Sequence, residues 1–230
     1  MGKVAFHSDL RILARAGAFG IALAIGASAS AANKETGPSE RPQTVQSHTL
    51  TNHGSSLVEQ GRFEEAVSIL TKAITLDAKV ALAHYNRGNA LLHLRQLDRA
   101  IADYSEALRL NPLFALAHMN RGVAHSQLDH LDAALADLSE AIRIDPSSAD
   151  AYFNRGIVHS KRAHYADAAA DFTDAIRLRP EDAAAYTARG VAFHRSGEND
   201  LAAADYRKAL ALNPADAAAA KYLRMLDTRR

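Results

Sequence analysis

Residues 81–114 read ALAHYNRGNALLHLRQLDRAIADYSEALRLNPLF, and residues 115–148 read ALAHMNRGVAHSQLDHLDAALADLSEAIRIDPSS. Laid one over the other, the two segments share a glycine (Gly88, Gly122), two alanines (Ala100 and Ala107, Ala134 and Ala141) and a proline (Pro112, Pro146) in the same register. Working outward, a step of 34 residues carries Gly54, Gly88, Gly122, Gly156 and Gly190, and also Ala66, Ala100, Ala134, Ala168 and Ala202. A third series is Ala73, Ala107, Ala141, Ala175 and Ala209, and Pro112, Pro146, Pro180 and Pro214 close the later units, with Ala78 standing in the first. A fixed period of this length is the mark of stacked repeats, and missing it would misread the whole fold.

The chemistry of the positions predicts two antiparallel helices per unit. Gly88 and Ala100 are small where two helices must approach closely, because a larger side chain would push the pair apart. Apolar residues then recur at helical spacing, as in Ile101, Tyr104, Leu108 and Leu110, or Leu135, Leu138, Ile142 and Ile144. Asn111-Pro112, Asp145-Pro146 and Asn213-Pro214 end the second helix, since a proline disfavours helical geometry in the residue before it. By the same reasoning Gly122→Leu is expected to overpack a helix crossing, whereas Ser126→Leu is expected to be mild.

These registers resemble the tetratricopeptide-repeat (TPR) family over residues 47–216, in five units at 47–80, 81–114, 115–148, 149–182 and 183–216. The resemblance implies an all-α TPR solenoid, a right-handed superhelix of helix-turn-helix repeats whose first helices line a concave groove. The last unit of such a stack needs a cover. Residues 217–230, with Ala219, Tyr222, Leu223 and Leu226 on one side, are expected to form a C-terminal capping helix.

The start of the chain has a different character. Lys3, Arg11 and Arg15 precede an apolar stretch from Ala16 to about Ala27 and the small residues Ser28 to Ala32, the layout of a secretory signal peptide. Cleavage is expected after Ala31, with Ala29 and Ala32 as alternatives, so residues 1–31 are read as the signal and the mature protein as periplasmic or secreted. An uncleaved anchor is disfavoured because the apolar run falls short of the ~20 residues that span hydrocarbon. Residues 32–46 are polar, hold two prolines and are read as a flexible linker.

Composition removes several function classes. Lys plus Arg number 27 against 26 Asp plus Glu, so nothing favours nucleic acid as a partner. Cysteine is absent, which excludes disulfides, thiolate metal sites and cysteine nucleophiles. No phosphate-cradling loop, HExxH helix or G-x-S-x-G elbow is present, so the chain is read as non-enzymatic and without a cofactor. His125 and His130 recur as His159 and His164, but stacked equivalents stand roughly 8–10 Å apart, too far to share one ion. They are read as packed or solvated, and no metal site is assigned.

Two polar series remain. Arg87, Arg121, Arg155 and Arg189 are each followed sixteen residues later by Asp103, Asp137, Asp171 and Asp205, and the first unit lacks both partners, with His53 and Ile69 there. Joint presence and absence predicts an ion pair bridging the two helices of a unit. Asn52, Asn86, Asn120 and Asn154 form the second series, which the fifth unit breaks with Ala188. In TPR proteins the corresponding position faces the groove, and a carboxamide can match both the N–H and the C=O of a peptide unit. Duplication of a solvated residue is the other explanation. Tyr85, Met119, Phe153 and Asn89 occupy neighbouring groove positions, so side-chain pockets between the asparagines are expected to hold an extended or helical segment of another protein. Replacing Asn86, Asn120 and Asn154 together by alanine is expected to weaken binding and leave folding intact. No unit has the lysine or arginine that family members use at the fifth position to clamp a carboxylate. The rival readings are an accessory subunit of an envelope enzyme or secretion assembly docking through another face, and a metal or small-ligand carrier using the histidines.

Overall fold

The computed structural model describes residues 42–228, and the expected signal peptide lies outside them. Every regular element described is an α-helix. Residues 42–144 and 145–228 fall in two compact units. In the first, α1 (Pro42–Glu59), α2 (Phe63–Leu76), α3 (Ala81–His93), α4 (Leu97–Leu110), α5 (Ala115–Gln127) and α6 (Leu131–Ile144) form three helical hairpins. The hairpins stack through α2 on α3 and α4 on α5. In the second, α7 (Ala149–Lys161) pairs with α8 (Tyr165–Leu178) and α9 (Ala183–Ser196) with α10 (Asn199–Leu212), and α8 packs on α9. The covering element is α11 (Ala217–Asp227), which lies against α10 with Ala219, Tyr222 and Leu226 buried and Leu223 partly so. Helix α1 begins at Pro42, inside the stretch read as linker. Proline suits a first helical turn, where its missing N–H has no partner to lose, and the buried Ser47 hydroxyl ties the helix to α2 by donating to the Ala73 carbonyl at 2.9 Å.

The glycine series is explained by what faces it. A Cβ on Gly88 would lie 2.7 Å from the ring of Tyr104, and Gly156 and Gly190 stand in the same relation to Phe172 and Tyr206. These rings come from the second helix of the same hairpin and are fully buried, so they cannot retreat. At Gly122 the facing residue is Leu138 at 2.9 Å, with the Ala134 carbonyl at 3.2 Å. Ser126, by contrast, is only 3% exposed. It is therefore no mild control for Gly122, because leucine there would also enter packed space.

The turn inside each hairpin runs through one left-handed residue. Gly61 and Gly197 hold it at φ 74° and 90°, but Arg95, Asp129 and Ala163 hold φ 58–61° with a side chain attached. A non-glycine residue in that region costs about 1–2 kcal/mol. Helix starts are capped where the chain supplies an oxygen: Asp182 accepts from the N–H groups of Ala184 and Ala185, and Asp216 from those of Ala218 and Ala219.

The arginine and aspartate series form the expected ion pairs. Arg87 Nε and Nη2 donate to the two carboxylate oxygens of Asp103 at 2.8 and 2.7 Å, and Arg121–Asp137, Arg155–Asp171 and Arg189–Asp205 repeat this fork. The third nitrogen extends the contact to the preceding hairpin. Arg87 reaches Thr71 at 3.1 Å, Arg121 reaches Ser105 at 2.9 Å and Arg189 reaches Thr173 at 3.1 Å. Two imidazoles join in: His118 Nδ1 lies 3.1 Å from Asp137, and His84 bonds the Ala78 carbonyl while facing Asp103 at 3.7 Å. Burial alone would raise the Asp103 and Asp137 carboxyls, but their arginine and histidine partners outweigh it and hold both below the ordinary range.

Two predictions follow from this packing. Gly88→Ala should lower unfolding stability by about 1–2 kcal/mol, because overpacking strain of about 1–3 kcal/mol exceeds the helix-propensity gain of up to about 1 kcal/mol. Ala163→Gly, at an exposed turn, should raise stability, and denaturant midpoints of the two variants measure both effects. The second concerns acid. A carboxyl whose folded pKa is depressed adds stability above its unfolded value near 3.9, and that stability is lost as pH falls through the folded pKa. Midpoints recorded at pH 7, 5 and 3 should therefore drop between 5 and 3, and Asp103→Asn should remove part of that pH dependence. An identical midpoint at pH 5 and 3 would contradict the assignment.

Candidate interaction face

The first helix of each hairpin carries the residues singled out for binding, and helical spacing sets them on one face. On α3 the stripe is Leu82, Tyr85, Asn86, Asn89 and His93, and on α5 it is Leu116, Met119, Asn120, Val123 and Gln127. Within residues 42–144, first helices of successive hairpins touch along it, α1 with α3 and α3 with α5. That closeness determines what remains accessible.

The structure buries most of the expected groove lining. Tyr85 and Met119 are at most 1% exposed, Asn89 is 1% and Asn120 is 0% exposed, and Asn86 and Asn154 are below 5%. Of the eight residues only Asn52 is exposed, and Phe153 is half-buried against Phe172, with ring centroids 5.5 Å apart. Tyr85, Met119, Asn86, Asn89, Asn120 and Asn154 thus do not stand open as peptide contacts in this conformation. Neighbouring helices close over their part of the face and turn it into core.

Three of them form a polar network instead. Asn120 Nδ2 donates to Asn89 Oδ1 at 2.9 Å and to the Tyr85 hydroxyl at 3.3 Å, and the Tyr104 hydroxyl donates to the same Asn89 oxygen at 2.8 Å. Four side chains on α3, α4 and α5 are joined in this way across two hairpins. Burial pushes the Tyr85 phenol up to about 12, so it stays neutral and keeps its proton in the network. The expectation that alanine at Asn120 leaves folding intact does not survive this geometry: it would strip Asn89 and Tyr85 of a donor inside the core.

The network leaves other polar atoms over. Asn86 Nδ2, Asn120 Oδ1 and both carboxamide atoms of Asn154 are buried and have no hydrogen-bond partner among the described residues. Such groups cost about 1–3 kcal/mol each. The sequence marked these positions by their period, but it gave no sign that they would be sealed from water.

Elsewhere the expected packing of histidines holds only in part. His84 is buried at 6% and satisfied on one side, whereas His125 Nδ1 and His159 Nδ1 are buried without a hydrogen bond among the described residues. Burial holds both imidazoles below their ordinary value. Among the described residues, no helix is long and apolar enough to cross a membrane.

Known proteins place this arrangement. No curated protein matches the chain in sequence. Among solved structures, MamA aligns at 23% identity and a TM-score of 0.66, covering 74% of this chain and 92% of its own. YrrB, described as a TPR protein with an unusual peptide-binding site, aligns at 22% identity and 0.65, covering 75% and 89%. MamA from Desulfovibrio magneticus RS-1, residues 41 to the end, aligns at 21% and 0.68, covering 74% and 96%. At these identities the likeness is one of fold. The family profile described as tetratricopeptide repeat matches residues 51–112 and 153–217, and a TPR repeat profile matches 127–162. Together with the paired helices and the glycine-against-ring contacts in every unit that carries them, these matches show that the chain belongs to the tetratricopeptide-repeat family.

Proposed function

We propose that this protein is a non-catalytic interaction scaffold that takes up a segment of another protein on its first-helix face. The observation that carries the reading is Asn154, whose carboxamide is buried with neither its N–H2 nor its C=O satisfied among the described residues. One peptide unit offers the acceptor and the donor that this group lacks. To meet a partner backbone the buried Asn154 would have to turn to another rotamer, next in sequence to the half-buried Phe153. Binding would then relieve a cost that the unbound fold carries, which is a source of affinity that does not depend on the partner's side chains. YrrB, a similar fold with a peptide-binding site, supports the reading by analogy.

The cellular setting is part of the proposal. Lys3, Arg11 and Arg15, the short apolar run and Ala29-Ser30-Ala31 support export, so the partner would be met in the periplasm. Mass spectrometry of protein recovered from cells should find an N-terminus within two residues of Ala32. An intact Met1 in the membrane fraction would overturn the location without touching the scaffold reading.

The binding role is tested by separating stability from capture. Asn154→Leu removes two unsatisfied polar atoms from an apolar setting, so its melting temperature should equal or exceed that of the wild type. Capture of the partner obtained by crosslinking the wild-type protein in periplasm should nevertheless fall about tenfold, the equivalent of about 1.4 kcal/mol. Asn120→Ala should show the opposite balance, with stability falling by about 1–3 kcal/mol as the buried network opens. Unchanged capture by Asn154→Leu would place the partner on another surface and favour an accessory-subunit role.

A further inference from the structure

The turn from α7 to α8 gathers two imidazoles and a carboxylate. His159 lies in the last turn of α7, and Ala163 at φ 60° sends the chain back so that the His164 N–H donates to the His159 carbonyl at 2.9 Å. His164 is the N-cap residue of α8, and Asp167 follows in its first turn. One ligand atom from each of the three lies within 4.8 Å of the others. Nδ1 of His159 and Nδ1 of His164 stand 4.0 and 3.9 Å from Oδ2 of Asp167. A tetrahedral ion bonded at about 2.0–2.1 Å holds its ligand atoms about 3.3 Å apart, so side-chain shifts of about 1 Å close the set. The two residues that must shift, His164 and Asp167, have side chains 50% and 65% exposed.

An exposed His–Asp pair alone would be no more than a weak surface ion pair. The more buried member, His159, is what points to a ligand. His159 Nδ1 is sealed from water with no hydrogen-bond partner among the described residues, and it is the nitrogen directed at Asp167. Its other nitrogen, Nε2, faces Asp171 Oδ2 at 3.8 Å, and Asp171 is fixed by the two-pronged contact from Arg155. A carboxylate that hydrogen-bonds the far nitrogen of a ligating histidine orients its ring, and Asp171 stands just outside that distance, on the side of the ring away from Asp167.

The other repeats serve as internal comparisons. The same three places hold Leu57, Arg62 and Glu65 in the first unit and Leu91, Gln96 and Arg99 in the second. In the fifth they are Phe193, Glu198 and Leu201. The third has His125 and His130, with ring centroids 5.8 Å apart, but Ala133 where the carboxylate would be. Only the fourth unit unites all three groups.

We propose that His159, His164 and Asp167 bind one divalent transition-metal ion of the zinc class, through two imidazole nitrogens and one carboxylate oxygen, with water in the remaining positions. Two nitrogen donors select against Mg²⁺ and Ca²⁺, which take oxygen ligands. The site sits at a hairpin turn, apart from the Asn154 carboxamide, so it neither requires the scaffold reading nor depends on it.

Calorimetric titration of the untagged full-length protein with Zn²⁺ at pH 7.5 tests this. One equivalent should bind, Mg²⁺ at the same concentration should give no heat, and His164→Ala and Asp167→Ala should each weaken Zn²⁺ by at least about tenfold. His130→Ala should change the affinity less than twofold. All three positions are exposed, and metal-free melting curves of the variants should overlay that of the wild type. Electron paramagnetic resonance of the Cu²⁺-loaded protein should report two nitrogen ligands, and one in His164→Ala. Absence of Zn²⁺ binding overturns the proposal, as does an affinity that His130→Ala lowers while His164→Ala and Asp167→Ala leave it unchanged.

Discussion

The architecture depends on how closely the two helices of a hairpin approach, and that distance is set where a glycine on the first meets a large side chain on the second. The ring of Tyr104, Phe172 or Tyr206 occupies the volume that a methyl group on the facing glycine would take. Removing one Cβ therefore makes room for a whole aromatic side chain, a far larger apolar area than the methyl it replaces. The alanines at Ala100, Ala168 and Ala202 are completely buried and keep the second helix equally thin along the same contact. Once the hairpin is drawn tight, its outer faces hold apolar residues that it cannot cover itself. Stacking is the consequence, with α11 covering the last of them.

The arginine forks add direction to packing that is otherwise non-directional. Hydrophobic contact between hairpins would tolerate sliding, whereas Arg121 must satisfy Asp137 on its own hairpin and Ser105 on the preceding one together. Its guanidinium is planar and rigid, so the three hydrogen bonds fix the rotation of one hairpin on the next within residues 42–144. Partial burial makes the pairs costly to break singly, since removing an aspartate leaves a half-buried cation without its partner. The first hairpin, with His53 and Ile69 in these places, has no such fork and is joined to its neighbour through Thr71 instead.

Much of this was legible in the sequence because it depends on residue type at a fixed register. The hairpins, their ends and the arginine–aspartate pairs all follow from period and chemistry. Exposure did not. A helical period says that Tyr85, Asn86 and Asn89 share a face, but not that α5 closes against α3 to bury it. The left-handed turn was hidden by Arg95, Asp129 and Ala163, which break the glycine series that Gly61 and Gly197 begin and end. The helical start at Pro42 was masked by polar residues that pack through the single Ser47 hydroxyl. The histidine–aspartate cluster needed the turn itself, because His159 and His164, five apart, come together only when the chain reverses between them, whereas His164 and Asp167, three apart, already share the start of a helix.

The asparagines show how one residue at one register can take different physical roles. Asn120 finds Asn89 thirty-one residues before it, and its N–H2 joins that carboxamide and two tyrosines in one network, leaving only its own Oδ1 without a partner among the described residues. Asn86 has Ser55 at that distance, and its Nδ2 finds no partner among the described residues. The period repeats the asparagine but not its surroundings. Where the neighbour diverged to another amide, the side chain became a fastener of the core. Where it did not, a donor was left buried at a cost of about 1–3 kcal/mol, which a fold stable by only about 5–15 kcal/mol does not carry without consequence. Apolar replacement would remove that cost in a single step, so an asparagine that serves only as a copy is physically unstable over repeated substitution. At Asn86 and Asn154 the proposed partner would supply the hydrogen bonds that the fold itself leaves unmade, as a peptide unit offers both a donor and an acceptor.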